Sequence, residues 1–233
     1  RPQAPALTDG RRSYSHAELE ARTRQLAGAL RGLGLRQGDR IALWSENRLE
    51  YIELQLAAAR LGLIVACLNW RLADPEMLHC IRLVTPSLVV VSERYADLLA
   101  TLDHGAPKVV VLGAEFEALR ASAAAAAADD PFDPVDPESG LVILYTSGTT
   151  GLPKGALISQ RAMVARARQF AGDYDIDARH GYIARSPLFH MAATDFSLAT
   201  LMLGGKVTVV DGLLLPRLIE VLASEPIGWL VAM

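Results

Sequence analysis

Apolar positions follow two rhythms along this chain, and each rhythm marks a kind of element. Behind Ser15-His16-Ala17-Glu18, apolar residues recur at Leu19, Leu26, Leu30 and Leu33 and stop at Gly34. That spacing, with a capping box ahead of it and a glycine behind it, predicts an amphipathic helix. Short apolar runs predict strands over 39–44, 63–68, 87–92 and 108–112, and a helix is predicted over 49–61. Asp74-Pro75-Glu76 provides a cap, a first-turn proline and a dipole-matched acid, so a further helix is predicted from there through Val84. The last two strands are each followed by a helical stretch. The resulting βαβα alternation predicts an α/β fold of mostly parallel sheets flanked by helices.

Six consecutive alanines, Ala123 to Ala128, precede Asp129-Asp130-Pro131-Phe132-Asp133-Pro134-Val135-Asp136-Pro137. Polyalanine extends a helix at little cost, whereas prolines and aspartates at this density cannot. This stretch reads as a surface linker over 129–139, between an α/β subdomain at 1–128 and a second, incomplete one at 140–233. In the latter, a helix is predicted over 160–170, carrying Arg161, Arg166 and Arg168 on a solvated face. A strand over 182–185 leads to Ser186-Pro187-Leu188-Phe189-His190, and a buried helix is predicted over 193–203. A strand over 206–210 and a helix over 213–223 resume the pattern.

The stretch with the most chemistry follows the apolar tetrad Leu141-Val142-Ile143-Leu144. It is Tyr145-Thr146-Ser147-Gly148-Thr149-Thr150-Gly151-Leu152-Pro153-Lys154-Gly155. A buried strand thus runs into a loop of glycines, hydroxyls and one lysine, a composition suited to wrapping an oxyanion. Glycines let several backbone N–H groups converge on one anion, and hydroxyls add donors at close range. Lys154 adds a full charge, and charge-assisted bonds of this kind contribute roughly 1.5–3 kcal/mol each. The ordinary nucleotide-binding pattern G-x-x-x-x-G-K-[ST] does not fit. Counted from Gly148, Pro153 stands at the second glycine and Gly155 at the metal-binding hydroxyl, and residues 156–159 read as a second strand rather than a helix.

The whole string resembles the phosphate-binding signature of the adenylate-forming enzymes, which include acyl-CoA synthetases, aryl-CoA ligases, luciferases and peptide-synthetase adenylation domains. Pro187-Leu188-Phe189-His190-Met191 resembles a second signature of the same enzymes, its histidine thirty-six residues after Lys154. Lesser echoes of acyl-CoA synthetases occur at Ser13 to Leu19, at Leu61-Gly62 and at Leu68 to Leu72, where a structural role is the simpler reading. The resemblance implies attack of a carboxylate on the α-phosphate of ATP, with loss of pyrophosphate, and then transfer of the acyl group to coenzyme A. It assigns Thr146, Ser147, Gly148, Thr149, Thr150, Gly151 and Lys154 to the polyphosphate, with Lys154 and His190 as catalytic candidates and Thr150 as the candidate ligand of Mg2+. His190, Met191, Thr194 and Asp195 would begin the acyl pocket. A histidine suits that place because it can donate to a carboxylate without carrying a fixed charge. The visible pocket is small and apolar except for Asp195, which favours fatty or other simple acids over amino acids.

The family's later elements, a Tyr-Gly-x-Thr-Glu segment, a ribose-binding aspartate, a hinge and a C-terminal lysine, are not found in these 233 residues. Together with an end inside an apolar run at 227–233, this gives the expectation of an N-terminal portion that forms no acyl-adenylate alone. The net charge of −3, without a basic run, argues against nucleic acid, and no apolar run reaches the eighteen residues of a membrane span. Cys67 and Cys80 read as core residues of a reducing, cytoplasmic compartment, and a homodimer is left open. Other readings are an aryl-CoA ligase, a peptide-synthetase adenylation domain, or a non-catalytic protein that binds nucleotide polyphosphate. A phosphate-cleaving NTPase is disfavoured by the failed loop match.

Overall fold

The capping box forms as its sequence predicts. Ser15 N–H donates to Glu18 Oε2 at 2.7 Å, and Glu18 N–H donates to Ser15 Oγ at 3.2 Å. In this computed structural model, which describes residues 1–123, 132–146 and 151–231, the box opens α1 (His16–Gly32). Two short strands not foreseen from the pattern come first, β1 (Pro5–Thr8) and β2 (Ser13–Ser15). Then follow β3 (Arg40–Trp44), α2 (Leu49–Leu61), β4 (Ile64–Cys67), α3 (Asp74–Val84), β5 (Leu88–Val91), α4 (Glu93–Thr101), β6 (Val109–Val111) and α5 (Ala114–Ser122). Most of the polyalanine and the start of the linker, residues 124–131, lie outside the described residues. The later elements are β7 (Gly140–Thr146), β8 (Lys154–Ser159), α6 (Gln160–Tyr174), β9 (Gly181–Ala184), α7 (Met191–Met202), β10 (Val207–Val209), α8 (Leu215–Ser224) and β11 (Ile227–Trp229).

The cap of α3 falls one residue earlier than predicted. Ala73 takes the extended conformation of the N-cap, and Asp74 and Pro75 are the first helical residues. The Glu76 carboxylate accepts the Ala73 N–H at 3.2 Å, so the acid supplies the reciprocal half of a cap that alanine cannot make.

Two units emerge, each with its own mostly parallel sheet. One comprises residues 21–46 and 53–160, around a six-stranded sheet of order β6-β5-β3-β4-β7-β8. All of its strand pairs are parallel except β7 with β8. Ala42, Trp44, Val89 and Val91, two residues apart on neighbouring strands, face Met77, Cys80 and Ile81 of α3 and Leu99 of α4. Full burial contributes about 1.5–3 kcal/mol per large apolar side chain, which is ample to fix α3 on the sheet. On other helices of this unit, Arg22 of α1 makes a two-pronged pair with the buried Glu53 of α2, at 3.0 Å for each bond, and also reaches Glu117 of α5 at 2.5 Å.

The other unit comprises residues 1–20, 47–52 and 161–233, around a five-stranded sheet of order β11-β9-β10-β1-β2, antiparallel only between β1 and β2. Ile183 and Val210 bury Leu218 and Val221 of α8 against this sheet.

The contacts therefore do not divide the chain at 129–139. β7 lies parallel to β4, with Val65 opposite Val142, so chain beyond the predicted linker completes the sheet begun before it. Likewise β1 pairs with β10, Leu7 opposite Val207. A reading along the chain does not see strand pairs separated by so many residues.

Candidate functional site

The loop of glycines and hydroxyls is carried by an antiparallel hairpin at the margin of the six-stranded sheet. β7 brings Tyr145 and Thr146 to its end, and β8 starts back at Lys154, so Thr146 stands opposite Lys154 and Tyr145 opposite Gly155. Ser147, Gly148, Thr149 and Thr150 lie outside the described residues. Gly151 has φ +130°, a conformation that a side chain disfavours. Thr146, Gly151 and Lys154 are all exposed, whereas Pro153 between them is buried. A Cβ on Gly155 would come within 2.8 Å of Ile143 Cγ2. That glycine allows the two strands to pack, which explains why no metal-binding hydroxyl stands there.

Both stems of the hairpin are tied to α3. The Tyr145 hydroxyl donates to the Cys80 carbonyl at 2.8 Å, and His79 Nε2 donates to the Pro153 carbonyl at 3.1 Å. Burial, with the neighbouring Cys80 and Cys67 adding to it, pushes the Tyr145 hydroxyl far above its usual range, which keeps it a donor. Both cysteines are buried thiols, and burial raises that of Cys80 to about 12. A groove of about 730 Å³ opens beside Lys154, lined by His79, Leu83, Ile143, Leu152 and Leu157 among others. Its apolar walls suit hydrocarbon, and a polyphosphate is better served by the polar end of the hairpin.

The second signature belongs to the other unit. Leaving β9, the chain turns through Ser186 to Phe189 and enters α7 at His190, which is exposed and occupies the N-cap position. His190 N–H donates to the Pro187 carbonyl at 2.9 Å, and the His190 carbonyl accepts Thr194 N–H at 3.2 Å. Met191 is half-buried. Thr194 is buried, and its hydroxyl donates to the Leu188 carbonyl at 2.6 Å. Asp195 is also buried, its Oδ2 bonded to Arg166 Nε, while Oδ1 meets no hydrogen-bond partner among the described residues. Burial raises the Asp195 carboxyl above its ordinary value, and Arg166 opposes that rise. Arg166 is exposed, as predicted for the arginines of α6, but it also pairs with a buried acid and lies over the Phe170 ring at 4.8 Å. Arg161 and Arg168 are exposed.

Asn47 was not singled out from the sequence, yet it organises this turn. Its Nδ2 donates to the carbonyls of Ala184, Ser186 and Val210 at 3.1, 2.8 and 3.1 Å, and its Oδ1 accepts Leu188 N–H at 2.8 Å. The nearest of these partners is 137 residues away, so only the fold reveals the role.

The polar hairpin end, with two threonine or lysine side chains and a positive-φ glycine exposed, fits an oxyanion. Among the described residues no group of three His, Cys, Asp or Glu side chains could hold a metal ion, and Thr150 lies outside those residues. No helix among them is long and apolar enough to cross a membrane.

Comparison with known proteins gives one consistent result. The chain is 32% identical to a feruloyl-CoA synthase of Amycolatopsis sp over 88% of its length, and 31% identical to the long-chain-fatty-acid–CoA ligase FadD13 of Mycobacterium tuberculosis over 84%. It spans only about 40% of the length of these curated relatives. Among solved structures it resembles the inhibitor-bound N-terminal domain of FACL13 from Mycobacterium tuberculosis, with TM-score 0.87 and 26% identity over 95% of this chain and 56% of that one. It resembles ATP-bound MatB from Rhodopseudomonas palustris with TM-score 0.86 and 26% identity, over 96% of this chain and 45% of that one. The family model described as AMP-binding enzyme matches residues 1–232, and this chain belongs to the AMP-binding enzyme family.

Proposed function

We propose that the protein containing this chain activates a carboxylic acid with ATP, releasing pyrophosphate, and passes the acyl group to the thiol of coenzyme A. The observation that carries the reading is the hairpin end, where Thr146, Gly151 and Lys154 present a hydroxyl, a backbone free to turn and a cation together. In this reading they hold the β- and γ-phosphates with Ser147, Gly148, Thr149 and Thr150. A carboxylate oxygen bonds to the α-phosphorus, the bond to the bridging oxygen breaks, and the negative charge that develops on departing pyrophosphate falls to Lys154 and the loop donors. The thiol sulfur then attacks the acyl carbon, and AMP leaves. Mg2+, with Thr150 as candidate ligand, would supply further neutralisation of the triphosphate. His190, at the head of α7, would donate to the acid's carboxylate.

The substrate we propose is a fatty or other simple acyl acid. An amino acid needs a carboxylate to meet its ammonium group, and Asp195 is buried, with its Oδ2 bonded to Arg166. An aromatic acid is the second reading, favoured by the likeness to the feruloyl-CoA synthase. Exchange of labelled pyrophosphate into ATP, run on the full natural chain with fatty, aromatic and amino acids, tests both. Exchange with fatty acids is the expected result, and exchange with aromatic acids alone selects the second reading. ATP binding without exchange for any acid would favour a non-catalytic polyphosphate-binding protein.

A further inference from the structure

We propose that α3 is the brace that sets where the hairpin presents Lys154, through His79 and the Tyr145–Cys80 bond; this rests on the reading of the hairpin as a polyphosphate site. The argument begins with how firmly α3 is itself held. Met77, Cys80 and Ile81 are fully buried against the six-stranded sheet. The helix's last carbonyls are also taken up: Arg40 of β3 donates from Nε to Val84 O and from Nη2 to Thr85 O, both at 2.8 Å. Such a helix cannot shift without breaking its packing.

Two adjacent residues of this fixed helix reach the two stems of one hairpin. The Cys80 carbonyl receives the Tyr145 hydroxyl on the outgoing strand, one residue before Thr146. His79 Nε2 donates to the Pro153 carbonyl on the returning strand, one residue before Lys154. Pro153 has no N–H, so its carbonyl is its one backbone handle, and that carbonyl sits on a buried residue between two exposed ones. A carbonyl only accepts, so Nε2 carries the proton, and the bond persists whether or not Nδ1 is also protonated.

A positioning residue of this kind acts on ATP through Lys154 and leaves the acid alone. For His79→Ala in the full natural chain, KM for ATP in pyrophosphate exchange should rise about tenfold, since sub-ångström misplacement of a charge is costly. KM for the acid should stay at its parental value, and the thermal midpoint should fall only by the cost of one lost hydrogen bond. Tyr145→Phe should act in the same direction, and His79→Gln, which keeps a side-chain N–H, should recover most of the loss. Amide hydrogen exchange at Lys154 and Gly155 gives a second readout that needs no turnover, and His79→Ala should speed it. Parental KM for ATP together with parental amide exchange in His79→Ala would overturn the brace. A parent protein without acid-dependent exchange would instead defeat the functional reading, and the amide measurement would still decide on the brace.

Discussion

Asn47 Oδ1 accepts the N–H of Leu188 at 2.8 Å, across 141 residues of sequence. The two N–H groups of the same side chain are shared among three carbonyls, so a single buried amide ties the turn that leads to His190 to the end of β9 and to Val210. Asn47→Ala would take this partner from the Leu188 N–H and from the Ser186 and Val210 carbonyls, at roughly 1–3 kcal/mol for each one that water cannot reach, whereas the Ala184 carbonyl keeps the N–H of Val210. The expected loss in chemical denaturation is about 3 kcal/mol or more. Asn47→Asp should be worse, because it replaces donors facing three carbonyls with a charged acceptor. An alanine variant of parental stability would contradict this account of the turn.

The Arg22 cluster should behave as a buried ion pair. The Glu53 side chain is fully buried and bonded to Arg22 through both oxygens, and Arg22 also reaches Glu117, which Arg120 shares at 2.8 Å. Removing the cation takes both of these bonds from a buried carboxylate, so Arg22→Ala should cost about 3–5 kcal/mol. Joint replacement of Arg22 and Glu53 by apolar residues of similar volume should cost much less. The comparison requires the double variant alongside the single one, read by thermal or urea unfolding.

Acid stability has a definite sign. Burial pulls the Glu50 carboxyl upward, but its bonds to Arg12 and its own backbone N–H, with the charge of Arg48, outweigh that and hold it below the ordinary 4.5. A folded-state value below the unfolded one gives stability that is complete above 4.5 and lost as pH falls through the folded value. Asp195 works in the opposite sense. Its folded value is raised above 3.8, so its contribution is full below that and fades as pH rises through the folded value. Glu50→Gln should therefore flatten the loss of stability on acidification, and Asp195→Asn should steepen it. Urea midpoints across the acid range, measured for parent and both variants, check the two slopes.

Much of this architecture was legible because the patterns that predict it are local. The Ser15–Glu18 box, the span of α2 and the strand at Lys154 that excludes an ordinary nucleotide-binding loop all follow from neighbouring residues. What escaped was set by distant partners. β1 and β2 are too short to declare a period, and β1 is a strand because β10 pairs with it. The pairing of Arg166 with Asp195 went unseen because the two are twenty-nine residues apart. His79 carries no signal in sequence, since the Pro153 carbonyl it meets is seventy-four residues away. The candidate chemistry of the hairpin rests on local composition, whereas the side chains that hold its stems and the His190 turn in place are dictated by tertiary packing.

The central claim is that the acid is activated on the α-phosphate, and the fate of its oxygen tests this most directly. The full natural chain is given ATP, coenzyme A and an acid whose carboxylate carries heavy oxygen, and the nucleotide product is weighed. The account predicts one heavy oxygen in AMP, formation of unlabelled pyrophosphate, and a much slower reaction in Lys154→Ala. Heavy oxygen in orthophosphate, with ADP as the nucleotide product, would contradict it.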